Sequence, residues 1–356
     1  MYEQFREEIP YIMLYAAVTV LAMIACCYLL FRRANAIAPD ITPPVRLRRW
    51  TAAFFAVFVL NHVWYMWPTF FLTSSDDVLL ANLLGGVIDC TTFFPVSIIV
   101  LLTMLQDRRR PLWPVALMVA PLVAGIVWCV ATRSRALFPT MIAYLLLLSI
   151  GLIIYMVRAL RQYGRWLRDN YADLEHKEVW KSFVVLAIML LVFAFYVTSN
   201  QGFLYEYVLQ GMVVVLICHL LWRVETLSDL SMPQQCIPPK SLPDSIEPLL
   251  QQYCIDTRLY LQHDLTLAQL AKAVGTNRSY LSQYFSSQGI TYNAYINNLR
   301  IRHFVTLYHE AVASQRPFTA QRLAHESGYR SYSTFTLAFK QRMGKNVTAW
   351  MSNLPE

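Results

Sequence analysis

Seven long apolar runs dominate the first 223 residues and constrain the fold more than any other feature of the sequence. Each run is roughly 20 residues long, the length at which an α-helix crosses a hydrocarbon core about 30 Å thick. In lipid, every backbone amide must be satisfied within its own segment, so the runs predict membrane-spanning helices. They lie near residues 9–31, 51–72, 79–105, 112–131, 137–157, 182–198 and 203–222.

Composition divides the chain into three regions. Only 15% of all residues are charged, against about 25% in soluble domains, and the deficit falls in residues 1–223, the predicted transmembrane domain and candidate sensor. A linker follows at 224–245, where prolines disfavour helix and favour an extended spacer. Those prolines are Pro233, Pro238, Pro239 and Pro243. Residues 246–356 have ordinary soluble composition and helical periodicity, so the fold class predicted is all-α throughout.

Charge in the short loops sets the expected orientation. Fifteen lysines and arginines fall on one set of loops and only three on the other, Arg6, Arg133 and Arg135. Because basic loops remain in the cytoplasm, a multi-pass protein of the inner (cytoplasmic) membrane is predicted, with its N-terminus outside and its C-terminal domain in the cytoplasm. Residues 1–8 are acidic and do not resemble a cleavable signal peptide. The mixed charges of 158–181 predict two helix extensions with a solvated face.

Polar side chains inside the predicted spans are costly and are therefore candidates for function. His62 and Asp89 each fall about ten residues from the outer end of their runs, so both are expected near mid-membrane. One hypothesis is that they face each other in a site that senses a ligand or proton; the alternative is a polar contact that only fixes helix packing. Candidates for an outward-open mouth, equally explained by interfacial solvation, are Asn200, Gln201, Glu206 and Tyr207.

The C-terminal region contains a repeated pattern of two short helices about a glycine. Thr266 and Gln269 predict a capping box before a short helix that stops at Gly275, and a second helix follows at 277–287. The same arrangement recurs as helices at 319–327 and 331–343 about Gly328, with a long helix near 292–313 between the two pairs. The pattern is that of two helix-turn-helix units joined by a linker helix.

This repeat resembles the DNA-binding domain of the AraC/XylS family of bacterial transcription regulators over roughly 246–351. The resemblance rests on Leu267-Ala268, Leu270-Ala271, Tyr280-Leu281-Ser282, Phe285, Gly289, Tyr292, Tyr295-Ile296, Leu299-Arg300-Ile301, Leu323-Ala324, Gly328-Tyr329, Ser333, Phe335, Phe339-Lys340 and Gly344. Val347 and Trp350 depart from the family's usual proline and tyrosine in a final short helix. The membrane half does not resemble the family's usual soluble ligand-binding domain.

The resemblance implies two recognition helices that enter successive major grooves on one face of double-stranded DNA. Polar residues at the start or outer face of these helices are the expected base contacts, and Gln283 is the strongest because its amide can pair with adenine. In the first unit they are Asn277, Arg278, Ser279, Ser282 and Gln283; in the second they are Arg330, Tyr332, Ser333 and Thr334. Phosphate contacts are expected from Thr276, Lys340 and Lys345, with Arg342 as a further candidate.

The function predicted is a membrane-embedded, sequence-specific DNA-binding regulator that performs one-component signal transduction. Expected partners are double-stranded DNA, the lipid bilayer, a small-molecule or membrane-derived signal, a second copy in a homodimer, and RNA polymerase. One alternative is a receptor-like or transporter-like membrane protein whose C-terminal domain binds protein partners, not DNA. Another is proteolytic release of the domain at the linker.

No enzyme motif was found in the sequence. HExxH, P-loop, GxSxG and glycine-rich dinucleotide patterns are absent, so no catalytic residue, metal site or cofactor is expected. The seven cysteines lie mainly in apolar runs without paired spacing, which predicts small apolar side chains and not disulfides or metal ligands.

Overall fold

The chain is helical in a computed structural model. The structure describes residues 2–32, 35–39, 41–71, 75–134, 136–185, 187–188, 204–230 and 246–352. Within these ranges the regular elements are helices, and one isolated antiparallel bridge joins Tyr171 to Thr266. The all-α class predicted from the sequence is confirmed. The four linker prolines lie outside the described residues, as do Asn200 and Gln201.

The N-terminal part consists of long helices. They are α1 (Tyr2–Phe31), α2 (Val45–Phe71), α3 (Ser75–Ile88), α4 (Phe94–Met104), α5 (Trp113–Thr132), α6 (Phe138–Asn170) and α7 (Leu204–Thr226). A π-helical turn at Asp89–Phe93 connects α3 to α4. Helix α1 packs against α2 and α7, α2 against α4, and α3 against α5.

Five helices among the described residues are long and apolar enough to cross a membrane. Their apolar spans are Ile9–Phe31, Leu83–Met104, Trp113–Thr132, Phe138–Asn170 and Tyr207–Thr226. They coincide with five of the seven predicted runs. The run at 51–72 lies in α2, which is helical but is not among the five, and the run at 182–198 lies largely outside the described residues. A seven-helix bundle therefore stays a prediction.

The chain divides into two compact units, one made of residues 1–161 and 179–230 and the other of residues 162–178 and 231–356. The second unit thus includes part of the connection that was predicted to be solvated. That prediction is wrong for seven side chains, because they are buried within the second unit. The buried residues are Tyr163, Leu167, Asn170, Tyr171, Ala172, Asp173 and Lys177.

The C-terminal part of the second unit is built from short helices around one long one. They are α8 (Glu247–Leu250), α9 (Leu267–Val274), α10 (Arg278–Ser287), α11 (Tyr292–Ala313), α12 (Ala320–Glu326), α13 (Tyr332–Met343) and α14 (Val347–Ser352). The predicted capping box of Thr266 and Gln269 is present. Polar side chains likewise accept a backbone N–H at the starts of α10, α11, α12 and α13. These caps fix where each helix begins.

Two hydrophobic cores hold the helices together, and α11 contributes to both. Ile296 lies in the core formed with α9 and α10, whereas Phe304 lies in the core formed with α12 and α13. The long helix predicted between the two pairs therefore packs in both cores. Helix α14 forms despite the two departures from the family pattern, with Val347 buried and Trp350 packed against the second core.

We expect Gly328→Ala to destabilise the second unit more than Gly275→Ala. Both glycines have positive φ, +92° and +75°, which costs an L-residue about 1–2 kcal/mol. A Cβ at Gly328 would also lie 2.8 Å from the Leu261 Cα, whereas nothing lies within 4 Å of one at Gly275. The difference, about 1–3 kcal/mol, can be measured by thermal unfolding of the two purified full-length variants. Equal losses of stability would contradict this account of the turn.

Candidate nucleic-acid interface

The first helix pair, α9 and α10, presents a polar helix start next to a tight turn. Asn277 caps α10, since its Oδ1 accepts the Tyr280 backbone N–H at 2.7 Å. Leu281 and Phe285 point into the core. Ser279, in the first turn of α10, and Gln283, later in the same helix, are exposed. The cap and the buried face together hold α10 with its polar first turn and outer face towards solvent.

The second pair, α12 and α13, repeats this construction. The Ser331 Oγ accepts the Thr334 backbone N–H at 3.3 Å, and Phe335 and Phe339 fill the core. Arg330 and Ser333 are exposed just before and within the first turn of α13. Both pairs therefore present the start of their second helix, which is the part of a recognition helix that contacts base edges.

Most of the predicted contact residues are accessible, and one is not. Thr276 is only 4% exposed, and its backbone N–H already donates to the Ala271 carbonyl at 2.8 Å. It lies inside the turn between α9 and α10, and the phosphate contact of Thr276 stays a prediction. By contrast, Lys340, Arg342 and Lys345 are all exposed, as phosphate contacts require.

When the two pairs are aligned by their capping residues, one further candidate contact residue is identified. With Asn277 matched to Ser331, the outward position of Gln283 corresponds to Leu337, which is 61% exposed. Ser331 follows Gly328 by three residues whereas Asn277 follows Gly275 by two, so alignment by the glycines does not show this match. An exposed leucine on a recognition helix is suited to apolar contact with a thymine methyl group.

Three predicted contact residues already have polar partners within the same unit. Arg278 Nε donates to Asn170 Oδ1 at 2.7 Å, and Thr334 Oγ1 donates to Glu175 Oε2 at 3.1 Å. Arg330 Nη1 lies 3.9 Å from Asp264 Oδ2. Asn170 and Glu175 could not be predicted as partners from the sequence, because they precede the helix pairs by about a hundred residues.

A buried arginine connects the two cores. Arg300, on α11, is 1% exposed. Its Nε donates to the Tyr260 carbonyl at 2.8 Å, and its Nη2 donates to the carbonyls of Gln262 and His263 at 2.7 and 3.2 Å. The guanidinium also lies over the Tyr329 ring, 5.5 Å from its centroid. Burial lowers the pKa of Arg300 and raises that of Tyr329, and their mutual attraction opposes both shifts.

His62 and Asp89 do not form the pair that was hypothesised. The His62 Nδ1 lies 3.0 Å from Thr19 Oγ1, and its ring stacks on Tyr15 with centroids 4.1 Å apart. Asp89 instead accepts from Asn61 Nδ2 at 2.6 Å and from the Tyr65 hydroxyl. Neighbouring residues on a helix point about 100° apart, so Asn61 and His62 contact different helices. A sensing role for His62 and Asp89 stays a prediction.

Two helix pairs with capped, solvent-facing second helices are the arrangement expected of a DNA-binding helix-turn-helix domain. Residues 270–353 match the family model described as a helix-turn-helix domain. The match supports the resemblance of this part of the chain to AraC-type DNA-binding domains. Comparison of the chain with curated proteins and with solved structures finds no match.

Proposed function

We propose that the chain is a membrane-embedded, sequence-specific DNA-binding transcription regulator that carries out one-component signal transduction. The observation that carries this proposal is the presence, in one chain, of an AraC-type domain at 270–353 and five helices able to cross a membrane. The proposed domains are a seven-span sensor at 1–223, a linker at 224–245 and a cytoplasmic DNA-binding domain at 246–356 with two helix-turn-helix units.

Exposed apolar side chains support the membrane assignment. On α6, Ile142, Leu146, Leu147, Ile150 and Ile153 are all exposed, and Leu147 is 70% exposed. A continuous apolar surface of this kind is unfavourable in water and typical of a helix that faces lipid. The loop charges favour an N-terminus outside and a C-terminal domain in the cytoplasm, where DNA is accessible.

The proposed mode of DNA binding uses α10 and α13 as recognition helices in successive major grooves. Gln283 and Arg330 would contact base edges, while Lys340 and Lys345 would contact phosphates. Residues 241–356 carry eleven lysines and arginines against seven aspartates and glutamates, so their net charge is modestly positive. Binding of a homodimer to paired sites would add avidity, and a bound regulator would act through RNA polymerase.

The proposal predicts specific and salt-sensitive binding by the full-length protein in lipid nanodiscs. A duplex selected from a random pool should bind about 10³-fold more tightly than a scrambled duplex. Raising the salt concentration from about 50 to about 200 mM should weaken both complexes, because bound phosphates release counterions. Fluorescence anisotropy measures the affinities. Equal affinity for selected and scrambled duplexes would favour the alternative of a domain that binds protein partners.

A further inference from the structure

Residues 162–178, called here the docking segment, pack against the DNA-binding domain. The segment comprises the end of α6 and the turns that follow it, and it belongs to the same compact unit as residues 231–356. Ala172 is 2% exposed and forms part of the hydrophobic core of α9 and α10. A segment that contributes a core side chain is bound to the domain and is not a solvated connection.

Backbone contacts fix the position of the segment. Tyr171 forms the antiparallel bridge with Thr266, and the Ala172 N–H donates to the Leu265 carbonyl at 3.3 Å. Asn293 Nδ2 donates to the carbonyls of Tyr171 and Ala172 at 3.2 and 2.6 Å. These bonds place the middle of the segment beside the start of α9 and the first turn of α11.

Two residues of the docking segment contact the starts of the two proposed recognition helices. Asn170 accepts from Arg278, the first residue of α10, and Glu175 accepts from Thr334, in the first turn of α13. A carboxylate is favoured at a helix start for the same electrostatic reason that a DNA phosphate is. The segment therefore occupies groups that DNA would need.

A third contact involves Arg330 and Asp264, which lies outside the docking segment. Asp264 lies 3.9 Å from Arg330 Nη1 and 3.8 Å from Lys177 Nζ. Lys177 belongs to the docking segment and is buried, and its carbonyl accepts from the Tyr163 hydroxyl at 2.9 Å. Lys177 of the segment and Arg330 thus share the Asp264 carboxylate, whereas Arg278 and Thr334 are contacted by the segment directly.

We propose that the docking segment is an internal ligand of the DNA-contacting surface, and that it competes with DNA for Arg278 and Thr334. This inference rests on the proposed DNA-binding function. Because α6 is one continuous helix from Phe138 to Asn170, a signal that moves its apolar part also moves Asn170. Undocking raises the fraction of protein competent to bind DNA, and the apparent affinity rises with that fraction.

The test compares full-length proteins in nanodiscs with a selected duplex. The double variant Asn170→Ala/Glu175→Ala removes both acceptors and leaves every proposed DNA contact in place. Two hydrogen bonds of ordinary strength correspond to a gain in affinity of about tenfold. The matched control is Gln162→Ala, which removes an exposed amide from the same segment and should leave the affinity unchanged.

A second variant and a second measurement distinguish competition from a structural effect. Asn170→Asp strengthens the contact with Arg278 and should weaken DNA binding, in the opposite direction to the double variant. Hydrogen exchange should show residues 171–175 protected in the free protein and less protected with bound duplex. Unchanged affinities together with persistent protection on DNA would overturn the inference while leaving the proposed function intact. Failure of all these proteins to prefer the selected duplex would overturn the proposed function itself, and the inference with it.

Discussion

Replacing Arg300 with methionine is expected to lower the free energy of unfolding of the C-terminal domain by about 3 kcal/mol or more. The side chain is fully buried and donates to the carbonyls of Tyr260, Gln262 and His263. Methionine fills a similar volume but donates nothing, so the buried Tyr260 carbonyl and the part-buried carbonyls of Gln262 and His263 lose their partner. Each such group costs roughly 1–3 kcal/mol when it is left unsatisfied.

Thermal unfolding of the purified full-length protein measures this effect, with proteolysis of the C-terminal domain as the readout. The midpoint should fall by more than about 10 °C, given the expected response of a domain of this size. Arg302→Met is the matched control, because Arg302 is exposed on the same helix. Arg300→Lys keeps the charge but loses the planar donor geometry, and should fall between the two. A similar midpoint for Arg300→Met and Arg302→Met would refute the role assigned to Arg300.

The double substitution Gln283→Ala/Arg330→Ala is expected to weaken binding to the selected duplex by about 10²-fold or more. The two side chains are exposed on the first and second helix pairs, and a well-formed contact to a base edge contributes about 1–3 kcal/mol of discrimination. Affinity for scrambled duplex should fall much less, since that binding depends on phosphates. The ratio of the affinity for the selected duplex to that for the scrambled duplex should therefore fall.

Anisotropy titrations against both duplexes measure the two affinities. The control is Gln252→Ala/Arg316→Ala, which removes the same two residue types from exposed positions outside the four helices of the pairs. The control should retain the preference of the parent protein. If both double variants lose affinity equally on both duplexes, the assignment of Gln283 and Arg330 as base contacts is wrong.

Local features of the fold could be predicted from the sequence because their causes are local. The capping box at Thr266, the glycine turns and the limits of α11 follow from residue types a few positions apart. Five apolar helices and the shared packing of α11 follow from periodicity and length. The match of residues 270–353 to a helix-turn-helix domain agrees with the resemblance carried by this pattern.

Long-range contacts could not be predicted in this way. Mixed charges in 158–181 predicted solvation, yet Tyr171 and Ala172 are buried against a domain that begins only at residue 246. The positions of His62 and Asp89 in their apolar runs predicted similar depths in the membrane. They do not determine which face of its helix each residue occupies. The polarity of Thr276 suggested an accessible side chain, whereas the turn buries it. In each case the missing information is which surfaces meet in the folded chain.

The central claim is that one protein is both embedded in the membrane and bound to specific chromosomal sites. Its most direct test is to crosslink DNA in intact cells, isolate full-length protein from the membrane fraction and sequence the attached DNA. The account predicts a few discrete chromosomal sites that disappear in the Gln283→Ala/Arg330→Ala variant. Recovery of DNA without enrichment at any site, or of full-length protein only from the soluble fraction, would contradict it.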